Sequence, residues 1–292
     1  MKQKFKTAFS LIELSVVILI IGILVAGVTQ SSRLITQMRL ATARQITQNS
    51  PVSSINGLIS WWETTSEKSF DEIEASDNSV ISKWYDSSPT NLNRNDLVQT
   101  NSTKRPIYIA TAINGLPALK FNGSNTFMQT PAYSPDLNSL NFSFFAVIQA
   151  FNGMPPIGAI LCTRGSSRGW VLYYTPTSPS VSLLIGNGSA WVAATTNTAV
   201  TNLNKTDLIS INYDTVNAKI YQNTNNIANF SASMAINSTT VSSIGSNSGC
   251  DSADQYFFSG YISELIFFNR SLKNDERIDV EKYLAKKWGL KV

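Results

Sequence analysis

Residues 260–290 read GYISELIFFNRSLKNDERIDVEKYLAKKWGL. The aromatic and β-branched run at 256–268 predicts a β-strand. After it, Asn274 is a suitable helix N-cap, and the spacing of apolar residues predicts an amphipathic helix that ends before Gly289. Its apolar stripe consists of Val280, Tyr283, Leu284 and Trp288. Acidic residues fill the first turn and basic residues the last, as the helix dipole favours: Asp275, Glu276, Lys286 and Lys287. We expect this helix to pack by its stripe onto a sheet.

Short strands with turn residues between them precede this stretch. The candidates are 59–62, 81–85, 118–121, 142–151, 170–174, 181–185, 208–213 and 219–222. Asn-Gly pairs at 114–115, 122–123, 152–153 and 187–188 take positive φ at low cost. Polar pieces at 195–205 and 223–240 are interpreted as surface loops and edge strands. Many short strands without intervening helices predict an antiparallel sandwich or barrel.

Three segments resemble parts of bacterial laminin-G-like, or concanavalin A-like, jelly-roll domains. Residues 260–290 resemble the last strand and closing helix of these domains. Residues 114–128 resemble an early hairpin and read NGLPALKFNGSNTFM. The opening strands correspond to GLISWWETTS and VISKWYDSS, where Trp62-Glu63-Thr64-Thr65 stands for the usual W-x-D-A-S. The resemblance implies a jelly-roll head. This architecture hosts lectins, adhesion modules, enzymes and spacers, so the fold does not name a ligand.

The other end of the chain carries a long apolar run. Residues 6–28 read KTAFSLIELSVVILIIGILVAGV, preceded by Lys2 and Lys4. About 20 apolar residues in a helix span a bilayer core, and the lysines favour a cytoplasmic start with the remainder exported. An ordinary secretory signal or a plain anchor would account for both features. Neither accounts for Glu13, because a carboxylate there costs about 2.5 to 3.5 kcal/mol.

This N-terminal pattern resembles the class III signal of type IV prepilins and pseudopilins. The matching residues are Ala8, Phe9 and Glu13, followed by the LIEL-x-VV pattern. The resemblance implies that a prepilin peptidase cuts before Phe9 and methylates the new amine, and that Glu13 pairs with the amine of a neighbouring subunit. Most members of the family carry Gly where this chain has Ala8.

The helix is expected to continue beyond the membrane. No Gly or Pro occurs in 29–48, and a stripe of Leu34, Met38, Ala41 and Ile46 suits packing on a head domain or on neighbouring helices. A helix from Phe9 to Gln48 would be about 60 Å long. The fold class is therefore mainly β with a long N-terminal helix, arranged as leader 1–8, spine helix 9–50 and jelly-roll head 51–292.

Composition argues against two functional classes. Without the lysines of the leader, 20 basic residues face 19 acidic ones, which gives no reason to expect nucleic-acid binding. The sequence has no histidine, which excludes Ser-His-Asp catalysis and histidine zinc sites. A glycosidase needs paired acids on one strand, but the nearest string, at Glu72 and Glu74, has Ser76 in place of the third acid. We interpret it as a solvated loop and expect no enzymatic activity.

Three further sets of residues are candidates for structural or binding roles. In an oxidising compartment Cys162 and Cys250 are expected to form a disulfide, although two separate buried thiols would also fit. The resemblance to laminin-G-like domains allows for Ca²⁺, with Asp251 and Asp254 as suitable oxygen ligands and Asp86 and Asp136 as further loop acids. Otherwise no cofactor is expected.

Surface aromatics with neighbouring arginines are the candidate ligand site. Rings stack on sugars, although aromatics in a sandwich more often belong to the core. The candidates are Arg164, Arg168, Trp170, Tyr173, Tyr174 and Trp191.

Together these features predict a pilin-like subunit that displays a lectin-like head for adhesion. The size of the head favours a minor or tip subunit. Its expected partners are prepilin peptidase, other pilin-like subunits, the membrane and a glycan or surface receptor. It would sit in the inner membrane with its head in the periplasm before joining a filament. A type II secretion pseudopilin, a non-polymerising anchored carbohydrate-binding protein and an anchored glycoside hydrolase are the alternatives.

Overall fold

The computed structural model describes residues 11–89, 94–131, 134–151, 157–175, 180–195, 203–238, 241–248, 250 and 255–291. The chain forms two compact units, the first ending at Thr42 and the second beginning at Ala43. The second unit thus includes the last six residues of the N-terminal helix, whereas composition placed the start of the head at Pro51.

Helix α1 spans Leu11–Gln48, which is 38 residues or about 57 Å. Every residue from Leu11 to Val28 is exposed. Within the described residues, this helix alone is long and apolar enough to cross a membrane. Its length and composition suit a membrane anchor or a signal sequence equally. The helix ends at Gln48 as expected, but Leu34, Met38 and Ala41 of the predicted stripe are exposed.

The second unit is an antiparallel β-sandwich of two eight-stranded sheets. The strands are β1 Leu58–Glu63, β2 Lys83–Trp84, β3 Leu97–Val98, β4 Ile107–Ile113, β5 Leu116–Asn122, β6 Met128–Gln129, β7 Phe142–Ala150, β8 Gly158–Cys162, β9 Arg168–Thr175, β10 Ser180–Asn187, β11 Trp191–Thr195, β12 Thr206–Tyr213, β13 Asn217–Gln222, β14 Asn225–Ser231, β15 Ser243–Ile244 and β16 Ser259–Phe268. Short 3-10 helices lie at Val52–Ser54, Ser102–Lys104 and Pro135–Asn138. The predicted fold class is confirmed.

Sheet I has the strand order β14-β13-β12-β7-β16-β5-β4, and β1 also pairs with β16. Sheet II has the order β11-β10-β9-β8-β15-β6-β3-β2. Strand β16 pairs along its length with β7, while its first part pairs with β5 and its second with β1. The last strand of the chain is therefore central to sheet I.

The core lies between the sheets and is rich in aromatic rings. Trp170 of sheet II stacks on Phe142 of sheet I, with ring centroids 4.5 Å apart, and on Phe267 at 6.1 Å. Trp62 and Trp84 are also fully buried. Burying such side chains contributes about 1.5–3 kcal/mol each, which makes this layer the main source of stability.

Helix α2, Asn274–Trp288, packs by its predicted stripe against sheet I. Val280, Tyr283, Leu284 and Trp288 are all buried. The N-cap is Lys273 rather than Asn274, and the backbone amide of Lys273 donates to Glu276 Oε2 at 2.8 Å. Asn274 instead accepts a bond from Arg277 Nη2. Gly289 ends the helix at φ 69°, a conformation that glycine adopts without strain.

Candidate functional site

The predicted processing and assembly residues lie at the start of the chain. Ala8 and Phe9 fall outside the described residues. Glu13 lies in the first turn of α1, within the exposed apolar stretch. Cleavage, methylation and subunit pairing at these positions therefore stay predictions.

The last turns of α1 are built into the head. Ala43 is 2% exposed. Arg44 Nε donates to the carbonyl of Thr65 at 2.8 Å, and Nη1 bonds Glu67 at 2.5 Å. The hydroxyls of Thr47 and Tyr283 lie 3.3 Å apart, which connects α1 to α2. Residues of α1 thus help to form the sandwich unit rather than merely leading into it.

Beneath this junction lies a buried ionic network. Lys287 Nζ is 3.0 Å from Glu63 Oε2 and 2.8 Å from Glu264 Oε2. The side chains of all three are between 0% and 1% exposed. Two carboxylates and one ammonium are expensive to bury unless hydrogen bonds satisfy their remaining atoms.

Hydrogen bonds from three aromatic side chains satisfy Glu264. Its Oε1 accepts from Trp61 Nε1 at 2.7 Å and from Tyr283 at 2.6 Å, and its Oε2 accepts from Trp288 Nε1 at 2.8 Å. Burial raises the pKa of the Tyr283 hydroxyl well above its usual value, and the charges of Glu264 and Glu63 raise it further. Tyr283 therefore stays a neutral donor.

Glu63 is held mainly by its own loop. Its Oε2 accepts from the amide and hydroxyl of Thr65 at 2.7 and 2.5 Å, and its Oε1 accepts from the amide of Ser66 at 2.6 Å. Burial alone would raise the pKa of Glu63, but the charge of Lys287 and the bonds from Thr65 outweigh burial, so the pKa is lowered. Burial would lower the pKa of Lys287, but the two carboxylates raise it. Glu63 and Lys287 therefore remain ionised at neutral pH.

The sequence interpretation missed this network. Lys286 and Lys287 lie in the last turn of α2 as predicted, but the sequence did not indicate that the Lys287 ammonium is buried between two carboxylates. Glu264 had a visible signal, since it interrupts an otherwise apolar strand. The network joins α1, β1, β16 and α2. Its role is therefore to hold these elements in place rather than to contact a ligand.

A second cluster lies on the outer face of sheet II. The guanidinium of Arg164 lies 4.7 Å from the Trp191 ring, and its Nη1 donates to the Tyr173 hydroxyl at 2.8 Å. Tyr173 contacts Tyr256 edge to face, with centroids 5.4 Å apart. A disulfide joins Cys162 to Cys250 beside Tyr173, with the Cα atoms 6.2 Å apart. The predicted disulfide is confirmed, and the structure brings Arg164 and Trp191 together as one candidate ligand surface.

The other three members of the predicted ligand site, Arg168, Trp170 and Tyr174, lie elsewhere. Trp170 points into the core and is 0% exposed, so its assignment to a ligand site is wrong. Successive side chains of a strand face opposite sides of a sheet, which places Tyr173 outside and Trp170 and Tyr174 inside. Arg168 is exposed at the start of β9.

Those acidic candidates that the structure describes do not come together as a metal or catalytic site. Asp251 and Asp254 lie outside the described residues, and among those described no three His, Cys, Asp or Glu side chains are grouped for a metal. Asp86 is buried and accepts from the amides of Trp61, Ser88 and Asn95. Burial raises its pKa, and these amides offset part of the rise. Asp86 is therefore a loop organiser.

The acidic pair Glu72 and Glu74, which was interpreted as part of a solvated loop rather than as a glycosidase pair, is not on a strand. Residues 71–74 form a turn, in which Glu72 is exposed and Glu74 Oε2 accepts from the amide of Ser82 at 2.8 Å. Asp136 lies in the 3-10 helix Pro135–Asn138. The loop interpretation of 71–77 is confirmed.

Solved structures share this architecture. The receptor binding domain of botulinum neurotoxin type G is 16% identical with a TM-score of 0.53, covering 80% of this chain and 54% of that chain. A Trypanosoma rangeli sialidase in complex with sialic acid is 14% identical with a TM-score of 0.52, covering 82% and 34%. Domain 4 of an extracellular arabinanase from Geobacillus stearothermophilus, in complex with arabinotriose, is 14% identical with a TM-score of 0.52, covering 77% and 98%. The chain thus matches about half of the toxin domain and a third of the sialidase, and identities this low show the fold alone.

Sequence comparison identifies the family. No curated protein matches the chain. The family described as the concanavalin A-like lectin/glucanases superfamily matches residues 122–276, which is more than half of the chain. The chain therefore belongs to the concanavalin A-like lectin/glucanases superfamily.

Proposed function

We propose that this chain is a non-enzymatic, type IV pilin-like filament subunit that displays a lectin-like head for adhesion. One observation carries the proposal. A single helix combines an exposed apolar segment containing Glu13 with a last turn, Ala43 to Gln48, that is integrated into a β-sandwich head. A removable signal would not need to be continuous with the core of the domain that it exports.

The proposed partners follow from the same helix. Prepilin peptidase would cut before Phe9, and the span would hold the subunit in the inner membrane with the head in the periplasm. Glu13 would then favour transfer into a filament, because pairing with a neighbour's amine offsets the cost of an embedded carboxylate. The large head suits a minor or tip subunit, and the binding function of the head, with a glycan or surface receptor as partner, draws support from its lectin-like fold.

Two observations support a binding role over catalysis. The sequence contains no histidine, and Glu72 and Glu74 lie in a turn with Glu74 engaged by a backbone amide. No cofactor is part of the proposal, and calcium at Asp251 and Asp254 stays a prediction. The alternatives are a type II secretion pseudopilin and an anchored carbohydrate-binding protein that never polymerises.

The test separates insertion from assembly. Glu13→Ala should leave the protein in the membrane fraction, since the span becomes more apolar, but reduce its recovery in sheared filaments. Glu72→Ala, which removes an exposed acid of the head, is the matched control and should assemble like wild type. Filaments containing Glu13→Ala at wild-type levels would refute the pairing role. Wild type found only in the membrane would favour the non-polymerising alternative.

A further inference from the structure

The outer face of sheet I carries a row of five half-buried residues. Strand pairing places them side by side across β4, β5, β16, β7 and β12, in the order Ile107, Lys120, Tyr261, Gln149 and Thr206. Neighbouring strands lie about 4.8 Å apart, so the row is about 19 Å long. We call it the cross-strand row.

Part of the outer face of sheet I is covered, and the covered part ends next to the cross-strand row. Along β7 the outward residues Phe145 and Val147 are fully buried, whereas Gln149 and the following Phe151 are only half-buried. Helix α2 packs against β7, while its stripe ends at Trp288. The cross-strand row is therefore an uncovered strip that borders a covered part of the same sheet.

Aromatic rings form the floor in the middle of the row. The rings of Tyr261 and Phe151 meet edge to face with centroids 4.8 Å apart, and Lys120 Nζ lies 6.0 Å from the Phe151 centroid. The Tyr261 ring and the Lys120 ammonium thus both lie beside the Phe151 ring. A rigid aromatic platform of this kind loses little conformational entropy when it binds a flat apolar surface.

The polar atoms of the row are available to a ligand. Among the described residues, neither the Lys120 ammonium nor the Tyr261 hydroxyl has a hydrogen-bond or ion-pair partner. Gln149 Nε2 donates to the carbonyl of Asn204 at 2.8 Å, which fixes the amide and leaves Oε1 as an acceptor. One cation, one hydroxyl and one oriented acceptor thus surround the rings.

We propose that the cross-strand row binds a saccharide that carries an anionic group. The rings of Tyr261 and Phe151 would stack on the apolar face of one sugar, while Gln149 Oε1 and the Tyr261 hydroxyl bond its hydroxyls. Lys120 places a positive charge at one side, which favours a carboxylate or sulfate on that sugar or the next. A protein partner fits less well, because specific protein interfaces bury about 1,200–2,000 Å², far more than a strip one residue wide. The proposal rests on the binding role of the head and differs in location from the Arg164 and Trp191 surface on sheet II.

Binding is measured with full-length protein in detergent, titrated with trigalacturonic acid, a sulfated chondroitin disaccharide and the neutral maltotriose. Wild type should prefer an acidic probe. Binding of trigalacturonic acid would show that a carboxylate suffices, whereas binding of the chondroitin disaccharide alone, which carries both a carboxylate and a sulfate, would show that the sulfate is required. Lys120→Met keeps the apolar stem and should weaken acidic binding at least about tenfold, as loss of a charged partner does. Tyr261→Phe should weaken it less. Lys219→Met, an exposed lysine on β13 of the same sheet, is the control and should bind like wild type.

Folding of each variant is checked by thermal unfolding, and wild-type binding in rising salt gives a readout that needs no variant. Affinity for the acidic probe should fall with salt, since the charge is partly exposed. If no acidic probe binds wild type, or if Lys120→Met and Lys219→Met weaken binding equally, the proposal is overturned. Because subunit recovery in filaments is scored separately, such a result leaves the filament role untouched, whereas failure of assembly leaves the saccharide site untouched.

Discussion

Lys287 Nζ lies 3.0 Å from Glu63 Oε2, a contact between residues separated by 224 positions in the chain. The bond joins the last turn of α2 to the end of β1, just below the point where Thr47 of α1 meets Tyr283. Both ends of the head therefore meet at one buried ionic group, which is also where the N-terminal helix enters.

Lys287→Met should destabilise the head by about 3 to 5 kcal/mol at neutral pH, because it leaves the two carboxylates buried without a counter-charge. Lys286→Met, at the exposed neighbouring position, is the matched control and should change stability by less than about 0.5 kcal/mol. Urea unfolding at pH 7 measures both. Similar values for the two variants would show that the network contributes nothing specific.

The same variant should change the pH dependence of stability. In wild type the lowered pKa of Glu63 gives a contribution that is lost as pH falls through that pKa, below the usual range of a glutamate. The raised pKa of Lys287 gives a second contribution to stability, which is lost only as pH rises through that pKa, above the usual range of a lysine. In Lys287→Met, burial raises the pKa of Glu63 without the opposing charge of Lys287, so proton uptake by Glu63 should make the head more stable at pH 5 than at pH 7. Unfolding series from pH 4 to 8 test this sign, and parallel curves for wild type and variant would contradict it.

A chain that begins at Val52 should form a less stable head than one that begins at Ala43. The shorter chain loses the burial of Ala43, the bonds of Arg44 to Thr65 and Glu67, and the contact of Thr47 with Tyr283. A loss of 1 kcal/mol lowers the melting temperature of a domain of this size by about 2–4 °C, so we expect a decrease of several degrees. Equal melting temperatures would show that the helix turn is only a connection.

Reduction of the disulfide should lower the melting temperature of the head by several degrees. The bridge spans a sequence separation of 88 residues, for which loop-closure entropy corresponds to about 4 kcal/mol. Thermal unfolding with and without reductant measures the effect, and non-reducing peptide mapping confirms the link. The double variant Cys162→Ala and Cys250→Ala should be insensitive to reductant. Quantitative thiol labelling of the native, unreduced protein would contradict the bridge.

The mature chain should begin at Phe9. Intact mass of protein extracted from membranes should show the loss of residues 1–8 and the addition of one methyl group. Ala8→Leu, which replaces the small residue before the junction, should accumulate as the uncut form. A mature start at Val28 would instead establish an ordinary signal peptide, and the filament proposal would fall with it.

Strands with continuous aromatic or β-branched runs were predictable from sequence, as β7, β9 and β12 show. Strands β3 and β15 have two residues each and carry no detectable alternation. Strand β14, NNIANFS, lies at the exposed edge of sheet I, where packing does not demand apolar residues. Edge strands were predicted within 223–240, but without bounds. Strand β14 lies in that range. In contrast, β4 reads IYIATAI and carried a strand pattern that was overlooked.

Sites were less predictable than strands because they depend on which strands become neighbours. Arg164 and Trp191, both predicted ligand candidates, lie close together, but Trp170 was placed among them because the sequence does not fix which face of β9 is buried. Glu63, Glu264 and Lys287 are far apart in the chain, and only the pairing of β1 with β16 brings the two carboxylates together. The cross-strand row likewise exists only through the register of five strands.

The position of β16 determines when the head is able to fold. Since β16 is the last described strand in chain order and pairs with β1, β5 and β7, sheet I stays incomplete until that strand has been made. Until then, the apolar side chains of β1 and β7 stay uncovered, and exposed strands of this kind are prone to aggregate. Folding from non-local pairings is also intrinsically slow. Anchorage of the emerging chain by its N-terminal helix would keep each waiting head tethered singly at the membrane surface.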